Sequence, residues 1–288
     1  MNTFPKILVL GASGMLGHVV LRWFVQHGRY PVAGSVRSEA ALRRLPAALQ
    51  EHVITGVDVE NLDSLMQLFA TVQPGVVINC VGLVKQLAQA DEPLLALPIN
   101  ALLPHRLARL SALVGARLVH VSTDCVFSGR RGHYRETDVP DAEDLYGRSK
   151  LLGEVVAAPA ITLRTSIIGP ELGSAHGLVA WFLAQNGPVR GYARAIFSGL
   201  PTVELARLIH DHVIPDPSLT GLYHVSAAPI TKHDLLQRVA RAYGRTTAIR
   251  PDDAVVIDRS LDSTRFRAAT GYAPPDWDTL VAAMHRFG

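Results

Sequence analysis

The chain has only two cysteines, Cys80 and Cys125, among 288 residues. Two thiols are too few for the disulfide framework of a small secreted domain, and they suit the reducing cytoplasm, where we expect the protein to be located. Aromatic residues make up only 6% of the chain and charged residues only 18%, whereas 48% of the residues are hydrophobic. This composition excludes the intrinsically disordered class and predicts a globular protein.

Long apolar runs are also lacking, and no stretch approaches the length that a membrane span requires. The sequence runs from Met1 into a strand-like segment without the features of a signal peptide. The net charge is only +3, and the basic residues are scattered, with short clusters such as Arg130-Arg131. We therefore expect neither a membrane nor a nucleic-acid partner, and the mild basic excess suits a chain that handles phosphorylated ligands.

Short apolar runs alternate with longer helical patterns in residues 1–166, as in βαβ units around a parallel sheet. The pattern predicts strands over 6–10, 30–36, 52–59, 75–82, 116–122 and 160–166. It predicts helices directly after the first strand and over 61–72, 92–115 and 143–156. The regular alternation then stops, which predicts a doubly wound α/β domain over 1–166 and a smaller C-terminal α/β substrate lobe over 167–288. Residues 200–230 could contribute elements back to the first domain.

A glycine-rich segment, GASGMLG, follows the first predicted strand and opens a helix. Gly11 and Gly14 would permit a tight turn and a close approach of the backbone to a pyrophosphate, and Gly17 would let the helix pack on the strand. Ser13, Met15 and Leu16 complete the predicted dinucleotide loop. An ordinary glycine-rich βα turn is the alternative interpretation.

The second predicted strand ends in Arg37, with no carboxylate before Glu39. An acidic residue at this place selects NAD, whereas a guanidinium suits a 2′-phosphate, so NADP(H) is favoured over NAD(H). A solvated loop arginine is the alternative. Asp58 is predicted to accept a hydrogen bond from the adenine amino group, with Val59 against the ring, although Asp58 could equally lead into a helix.

Residues at the ends of later strands extend this predicted cofactor site. Open parallel sheets bind ligands where the strand order reverses, beyond the carboxyl ends of the strands. The residues concerned are Cys80, Val81 and Gly82 after the fourth strand, and Thr165 and Ile167 beside the sixth.

The segment YGRSK places Tyr146 and Lys150 four residues apart, on one face of a predicted helix. A phenol titrates near 10, and a neighbouring ammonium is expected to lower that pKa toward the working range of a proton donor. Such a pair is common on helix surfaces. Behind a dinucleotide loop and a strand that ends in hydroxyl side chains, it predicts a catalytic pair whose lysine also contacts the cofactor.

The fifth predicted strand ends in Ser122, Thr123 and Asp124. A hydroxyl there could hold a substrate carbonyl beside Tyr146, and Thr123 is favoured over Ser122 for this role. A cap at the strand end is the alternative. Asp124 could contact the substrate or act as a second acid.

The motifs GASGMLG, STDCVFSG, YGRSKLLGE and LRTSIIG together resemble those of the extended short-chain dehydrogenase/reductase family. Within that family they resemble the branch of dTDP-4-dehydrorhamnose reductase and related sugar-nucleotide 4-ketoreductases. The resemblance implies a Rossmann-type domain, a small sugar-nucleotide lobe and, often, a homodimer. It implies that Tyr146 is the acid, Lys150 the lysine and Thr123 the hydroxyl of the catalytic set.

Two segments depart from the rhamnose branch. Where that branch commonly reads STDYVFDG, this chain has Cys125 and Ser128, and NCVGLVKQ replaces an alanine-rich stretch after the fourth strand. Ser122, Asp124 and Cys125 are the predicted substrate-side residues of this strand end, and Cys125 is the one of them that departs from the branch. A UDP-linked 4-keto-6-deoxy-hexosamine is a second candidate substrate beside dTDP-4-dehydrorhamnose.

Three arginines of the lobe are candidates for the diphosphate of a sugar nucleotide, namely Arg194, Arg259 and Arg265. Each could instead be a surface arginine. The histidines show no metal-site spacing, so no metal is expected.

The predicted function is therefore NADPH-dependent reduction of the C4 ketone of a nucleotide-linked 4-keto-6-deoxysugar for cell-surface polysaccharide biosynthesis. Two alternatives stay open. One is a sugar-nucleotide epimerase of the same family. The other is a non-catalytic NADP-binding regulatory subunit, because the branch also resembles the regulatory subunit of methionine adenosyltransferase.

Overall fold

Seven parallel strands form the central sheet of the computed structural model, which describes residues 4–83, 85, 91–173 and 175–288. The strands are β1 (Ile7–Leu10), β2 (Val32–Ser35), β3 (Val53–Ile54), β4 (Val76–Asn79), β5 (Arg117–Thr123), β6 (Ile161–Thr165) and, further along the chain, β11 (Gly221–His224). Their order is β3-β2-β1-β4-β5-β6-β11, so the winding reverses between β1 and β4. This arrangement confirms the predicted doubly wound α/β fold.

The helices of the first 166 residues cover both faces of this sheet. They are α1 (Gly17–His27), α2 (Glu39–Leu42), α3 (Ala47–Gln50), α4 (Leu62–Val72), α5 (Pro93–Ala96), α6 (Leu103–Leu113) and α7 (Leu145–Leu152). A π-helical segment, Leu97–Leu102, joins α5 to α6 and contains Pro98. Proline cannot donate the regular backbone hydrogen bond. The helix predicted over 92–115 is therefore present, but with a widened turn.

The remaining elements are short. The strands are β7 (Ile167–Ile168), β8 (Val189–Tyr192), β9 (Ala195–Phe197), β10 (Leu200–Pro201), β12 (Ile230–Thr231), β13 (Ile249–Asp252) and β14 (Ile257–Asp258). The helices are α8 (Leu178–Leu183), α9 (Thr202–Leu208), α10 (Lys232–Ala242), α11 (Thr264–Thr270) and α12 (Trp277–Phe287). Thr231 caps α10 by accepting a hydrogen bond from Asp234 N at 3.0 Å.

The largest apolar core spans both halves of the chain. It contains Ile7 and Phe24 of the first half together with Leu205 and Leu280 of the second. Helix α9 packs on α1, and α12 packs on α9. The division of the chain at residue 166 stays a prediction, since β11 and α9 lie in the layers of the large sheet.

Several strands and helices are shorter than the sequence predicted. The strand predicted over 52–59 has only two residues, and the helix predicted over 143–156 ends at Leu152. Gly153 follows the last turn of this helix, and Glu154 lies beyond it. Val84 and Gln86 of the NCVGLVKQ segment lie outside the described residues. No helix within the described ranges is long and apolar enough to cross a membrane.

Candidate active site

The glycine-rich segment forms a tight loop between β1 and α1. Gly11 has a φ of +76°, and a Cβ on it would lie 3.0 Å from Val81 Cγ2 and 3.3 Å from the Cys80 carbonyl carbon. A Cβ on Gly17 would collide with the Gly11 carbonyl oxygen. Both glycines are therefore required by close packing, while Gly14 meets nothing nearer than the Gly11 carbonyl oxygen at 3.4 Å. This shape fits a pyrophosphate at the start of α1.

A cavity of about 600 Å³, here called the inner cavity, lies at the carboxyl edge of the central sheet. It brings together most of the residues that the sequence predicted for the site. These are Ser13, Gly14, Met15, Leu16, Cys80, Val81, Gly82, Ser122, Thr123, Asp124, Cys125, Tyr146, Lys150, Thr165, Ile167 and Arg259. Residues from the ends of β1, β4, β5 and β6 thus share one space with the tyrosine and the lysine of α7.

Helix α7 carries the predicted catalytic pair and is fixed at its start by Asp144. The Asp144 carboxylate accepts a hydrogen bond from Gly147 N at 2.7 Å and pairs with Lys85 Nζ at 2.5 Å. One turn apart, Tyr146 and Lys150 both face the inner cavity. Lys150 Nζ donates a hydrogen bond to the Val121 carbonyl oxygen at 2.9 Å, which holds the ammonium against β5.

The pKa of Tyr146 is raised above its ordinary value, chiefly by burial and then by the nearby Cys125. Asp124 and Asp144 also raise this pKa, whereas the Thr123 side chain lowers it by hydrogen bonding to the phenol. The expectation that Lys150 brings the pKa of the phenol below its ordinary value is therefore wrong for this arrangement, because burial outweighs the lowering effects. The phenol stays protonated at neutral pH, as a proton donor must.

Burial lowers the pKa of Lys150 to about 8, and the charges of Glu154 and Cys80 oppose this change. The lysine is therefore an ammonium at neutral pH and loses its proton as the pH rises through about 8. Cys80 itself stays a thiol, because burial raises its pKa to about 12.

Opposite α7, the inner cavity contains a buried acid among cations. Burial raises the pKa of Asp124, while Arg259 and Lys232 lower it. Arg259 Nε donates to the Phe127 carbonyl oxygen at 2.7 Å, and Lys232 begins α10. Burial also raises the pKa of Cys125 to about 12, so this residue is an unreactive thiol beside the phenol. The sequence did not point to Lys232, because only the fold of the second half brings α10 to this edge.

A second cavity of about 510 Å³, here called the outer cavity, adjoins the inner one. It is lined by Pro188, Val189, Arg190 and Tyr192 at β8, by Trp181 and Gln185 at α8, and by Leu236 of α10. His176, Leu178 and Lys232 line both cavities, so the two spaces meet at these residues. The guanidinium of Arg190 lies 6.0 Å from the centre of the Tyr192 ring. Sequence reasoning missed this cavity entirely.

The structure places the other predicted site residues outside the lining of both cavities. Arg37 is exposed, whereas Arg44 lines the inner cavity. Asp58 accepts a hydrogen bond from Glu60 N at 3.0 Å, and Val59 packs at the edge of the core. Arg194 is exposed, and the Arg265 guanidinium stacks 4.6 Å from the Tyr223 ring centre, away from the cavities. The assignments of these residues stay predictions.

Within the described ranges, no group of three or more His, Cys, Asp and Glu side chains could hold a metal ion.

A family model described as the RmlD substrate binding domain matches residues 5–286. A dTDP-4-dehydrorhamnose reductase of Aggregatibacter actinomycetemcomitans is 27% identical over 98% of this chain and 99% of its own. Methionine adenosyltransferase 2 subunit beta of Bos taurus is 24% identical over 85% of this chain and 75% of its own. The crystal structure of a dTDP-4-dehydrorhamnose reductase from Bacillus anthracis, in complex with NADP, has a similar fold. Its TM-score is 0.81, at 23% identity over 99% of this chain and 98% of that one.

Proposed function

This chain belongs to the RmlD substrate binding domain family, and we propose that this NAD(P)-dependent oxidoreductase uses NADPH to reduce the C4 ketone of a nucleotide-linked 4-keto-6-deoxysugar. The substrate would be dTDP-4-dehydrorhamnose or a UDP-linked 4-keto-6-deoxy-hexosamine, and the product a precursor of cell-surface polysaccharide. One observation supports this proposal most strongly. The cavity that holds Tyr146 and Lys150 reaches from the dinucleotide loop to the cation, Lys232, at which the outer cavity begins.

The residues around the inner cavity divide the reduction among them. The nicotinamide of a bound cofactor supplies the hydride. Thr123 donates a hydrogen bond to the ketone oxygen, and Tyr146 gives that oxygen a proton as the alcohol forms. The Lys150 ammonium stabilises the phenolate that results. The raised pKa of Tyr146 supports this role, because the phenol must be protonated before it can donate.

The two adjoining cavities support a substrate with two unlike parts. A ketosugar would occupy the inner cavity beside Thr123 and Tyr146. A diphosphate would lie at the junction, where Lys232 and Arg259 supply positive charge beside Asp124. A nucleoside would then lie in the outer cavity, where Trp181 and Tyr192 offer aromatic surfaces for stacking.

The preference for NADPH rests on two arginines near the expected adenosine end. Arg37 follows β2 and is exposed, and Arg44 lines the inner cavity. A guanidinium binds a phosphate through two hydrogen bonds at once. We expect kcat/KM to be higher with NADPH than with NADH, and the ratio to fall in Arg37→Ala or Arg44→Ala. An unchanged ratio in both variants would contradict the proposed preference.

The direct test supplies NADPH with a panel of dTDP- and UDP-linked 4-keto-6-deoxysugars and follows the loss of nicotinamide absorbance. We expect stoichiometric oxidation of NADPH and a 4-hydroxy sugar as the product. An epimerase would instead interconvert isomers with no net consumption of reductant.

A non-catalytic subunit is the second candidate, supported by the likeness to methionine adenosyltransferase 2 subunit beta. Such a protein has no need of Tyr146 and Lys150 facing the same cavity as Thr123. The intact set therefore favours the reductase. A chain that binds NADPH, consumes none with any sugar in the panel and captures a partner enzyme would favour the subunit.

A further inference from the structure

The buried carboxylate of Glu154 lines neither cavity but contacts the end of β5, which carries Ser122 and Thr123. The side chain of Glu154 is only 6% exposed and pairs with the guanidinium of Arg164, which is 3% exposed. Arg164 Nε donates to Glu154 Oε1 and Nη2 donates to Oε2, each at 2.7 Å. Ser122 Oγ donates a third hydrogen bond to Oε1, also at 2.7 Å. The carboxylate thus joins β5, β6 and the residues that follow α7.

Burying such a pair is costly, because the loss of hydration often equals or exceeds the attraction between the two charges. Replacement of a buried ion pair by an apolar pair of similar volume is often neutral or stabilising in proteins. Stability alone therefore gives little reason for a carboxylate here. Its neighbours suggest another reason, since Ser122 adjoins both Val121, which accepts from Lys150 Nζ, and Thr123.

The charge of Glu154 also acts on Lys150, which lies four residues earlier. Burial alone drives the pKa of the ammonium down, and Glu154 is the first of the groups that oppose this change. Cys80 is the second, but it is a neutral thiol at neutral pH. On β5, the buried His120 has a pKa well below its ordinary value, so it adds no positive charge there.

We propose that Glu154 is a positioning residue, which keeps the Lys150 ammonium charged and fixes the end of β5 that carries Ser122 and Thr123. This role rests on the proposed function, because it gives the lysine a charge that the reduction uses. Glu154 lines neither cavity, and in the proposed role it acts only through its neighbours. Arg164 in turn holds the carboxylate in place and ionised.

The test is the pH profile of kcat in Glu154→Gln. The amide keeps the size of the side chain but removes its charge. We expect the alkaline limb, which reports loss of the Lys150 proton, to move about one pH unit lower. Glu154→Asp keeps the charge, so its alkaline limb should fall at nearly the same pH as that of the wild type. A limb that stays in place in Glu154→Gln would overturn the proposal.

A matched control exists elsewhere in the molecule. Glu204, whose side chain is also 6% exposed, pairs with Arg207 through hydrogen bonds of 2.9 and 2.6 Å. It accepts a further hydrogen bond from the Tyr272 hydroxyl at 2.8 Å and lines neither cavity. Glu204→Gln should therefore lower stability as Glu154→Gln does, but leave the alkaline limb in place. Equal shifts in both variants would show a general effect of destabilisation and would contradict the proposal.

Two further measurements keep the proposal testable. If Glu154→Gln does not fold, Glu154→Gln/Arg164→Met removes both buried charges and should show the same downward shift. The pH dependence of NADPH binding, measured without sugar, reports the same lysine. As the pH is raised, the loss of NADPH affinity should begin at a lower pH in Glu154→Gln than in the wild-type chain. This shift is expected even if the wild-type chain reduces none of the sugars tested. Failure of the proposed reductase function is thus distinguishable from failure of the proposed role of Glu154.

Discussion

The inner cavity lies where four parallel strands end, whereas the outer cavity lies between α8, β8 and α10 of the second half of the chain. The predicted catalytic side chains of the inner cavity come from the end of β5 and from one turn of α7, positions that the sheet fixes closely, although Lys232 and Arg259 of the second half also line it. The outer cavity depends on how short elements pack together. We infer that the inner cavity carries the chemistry and the outer cavity the recognition of the nucleotide. Variants in the two regions should therefore affect different kinetic constants.

The largest expected effect belongs to the inner cavity. Tyr146→Phe removes the proton donor and should lower kcat by roughly 10²–10⁴-fold, the usual loss for a positioned acid. NADPH binding should change little. Tyr192→Phe, which removes the hydroxyl of a tyrosine in the outer cavity, is the control and should keep most of its kcat. Steady-state kinetics with NADPH provide the measurement, and normal turnover in Tyr146→Phe would remove this residue from the mechanism.

The junction of the two cavities should give the next largest effect. Lys232→Met removes the cation shared by both cavities and keeps the length of the side chain. We expect KM for the nucleotide sugar to rise roughly 10–100-fold, the cost of a charged hydrogen bond, with kcat nearly unchanged. Arg241→Met, at an exposed site of the same helix that faces Asp278, should leave KM in place. A fall in kcat without a rise in KM would place Lys232 among the catalytic groups instead.

The outer cavity should give a smaller effect. Trp181 is 38% exposed and lines this cavity, where a nucleobase could stack on its indole. Trp181→Ala should raise KM for the nucleotide sugar by about tenfold, from the lost stacking and apolar contact. The free nucleoside diphosphate should inhibit this variant less strongly than it inhibits the wild type. If competitive inhibition by the nucleotide is equal in both, the nucleoside lies elsewhere.

The smallest expected effect is a pH dependence of kcat that belongs to the inner cavity. The pKa of Lys150 is lowered to about 8, so the charged form is present below that pH and is lost above it. We expect kcat to fall about twofold by pH 8 and further above it. Lys150→Arg keeps its charge at these pH values and should lack the alkaline limb, whatever its turnover. A wild-type kcat that is flat to pH 10 would contradict the assignment.

The difference between the cavities also explains what could be predicted from the sequence. Buried apolar runs such as Ile7–Leu10 predicted the central sheet. The glycines that follow this run predicted the dinucleotide loop, and close packing in the structure explains why they are needed there. Local spacing in the sequence predicted that Thr123 lies at a strand end and that Tyr146 and Lys150 share one face of a helix. Their meeting in one cavity follows from the parallel sheet, whose strand ends share one edge.

Other features could not be predicted, because they depend on tertiary packing. Lys232 shows in sequence only as the first residue of a helix, and Trp181 only as an apolar residue in another. The predicted direction of the Tyr146 pKa shift was wrong for a similar reason. The spacing predicts a neighbouring lysine but not the burial that raises the pKa of the phenol. Arg194 and Arg265 fitted the chemistry of a diphosphate, but neither lines either cavity, so their roles stay predictions.

We propose that a ketone is reduced in the inner cavity while the outer cavity binds the nucleotide that carries the sugar. The most direct measurement compares kcat/KM for a nucleotide-linked 4-keto-6-deoxysugar with that for the same sugar lacking the nucleotide, by following NADPH oxidation. We expect stoichiometric reduction of the linked sugar. Without the nucleotide, kcat/KM should fall by several hundredfold or more, from the combined loss of the charge and stacking contacts. Equal rates for the two sugars, or no oxidation of NADPH with any linked 4-ketosugar, would contradict it.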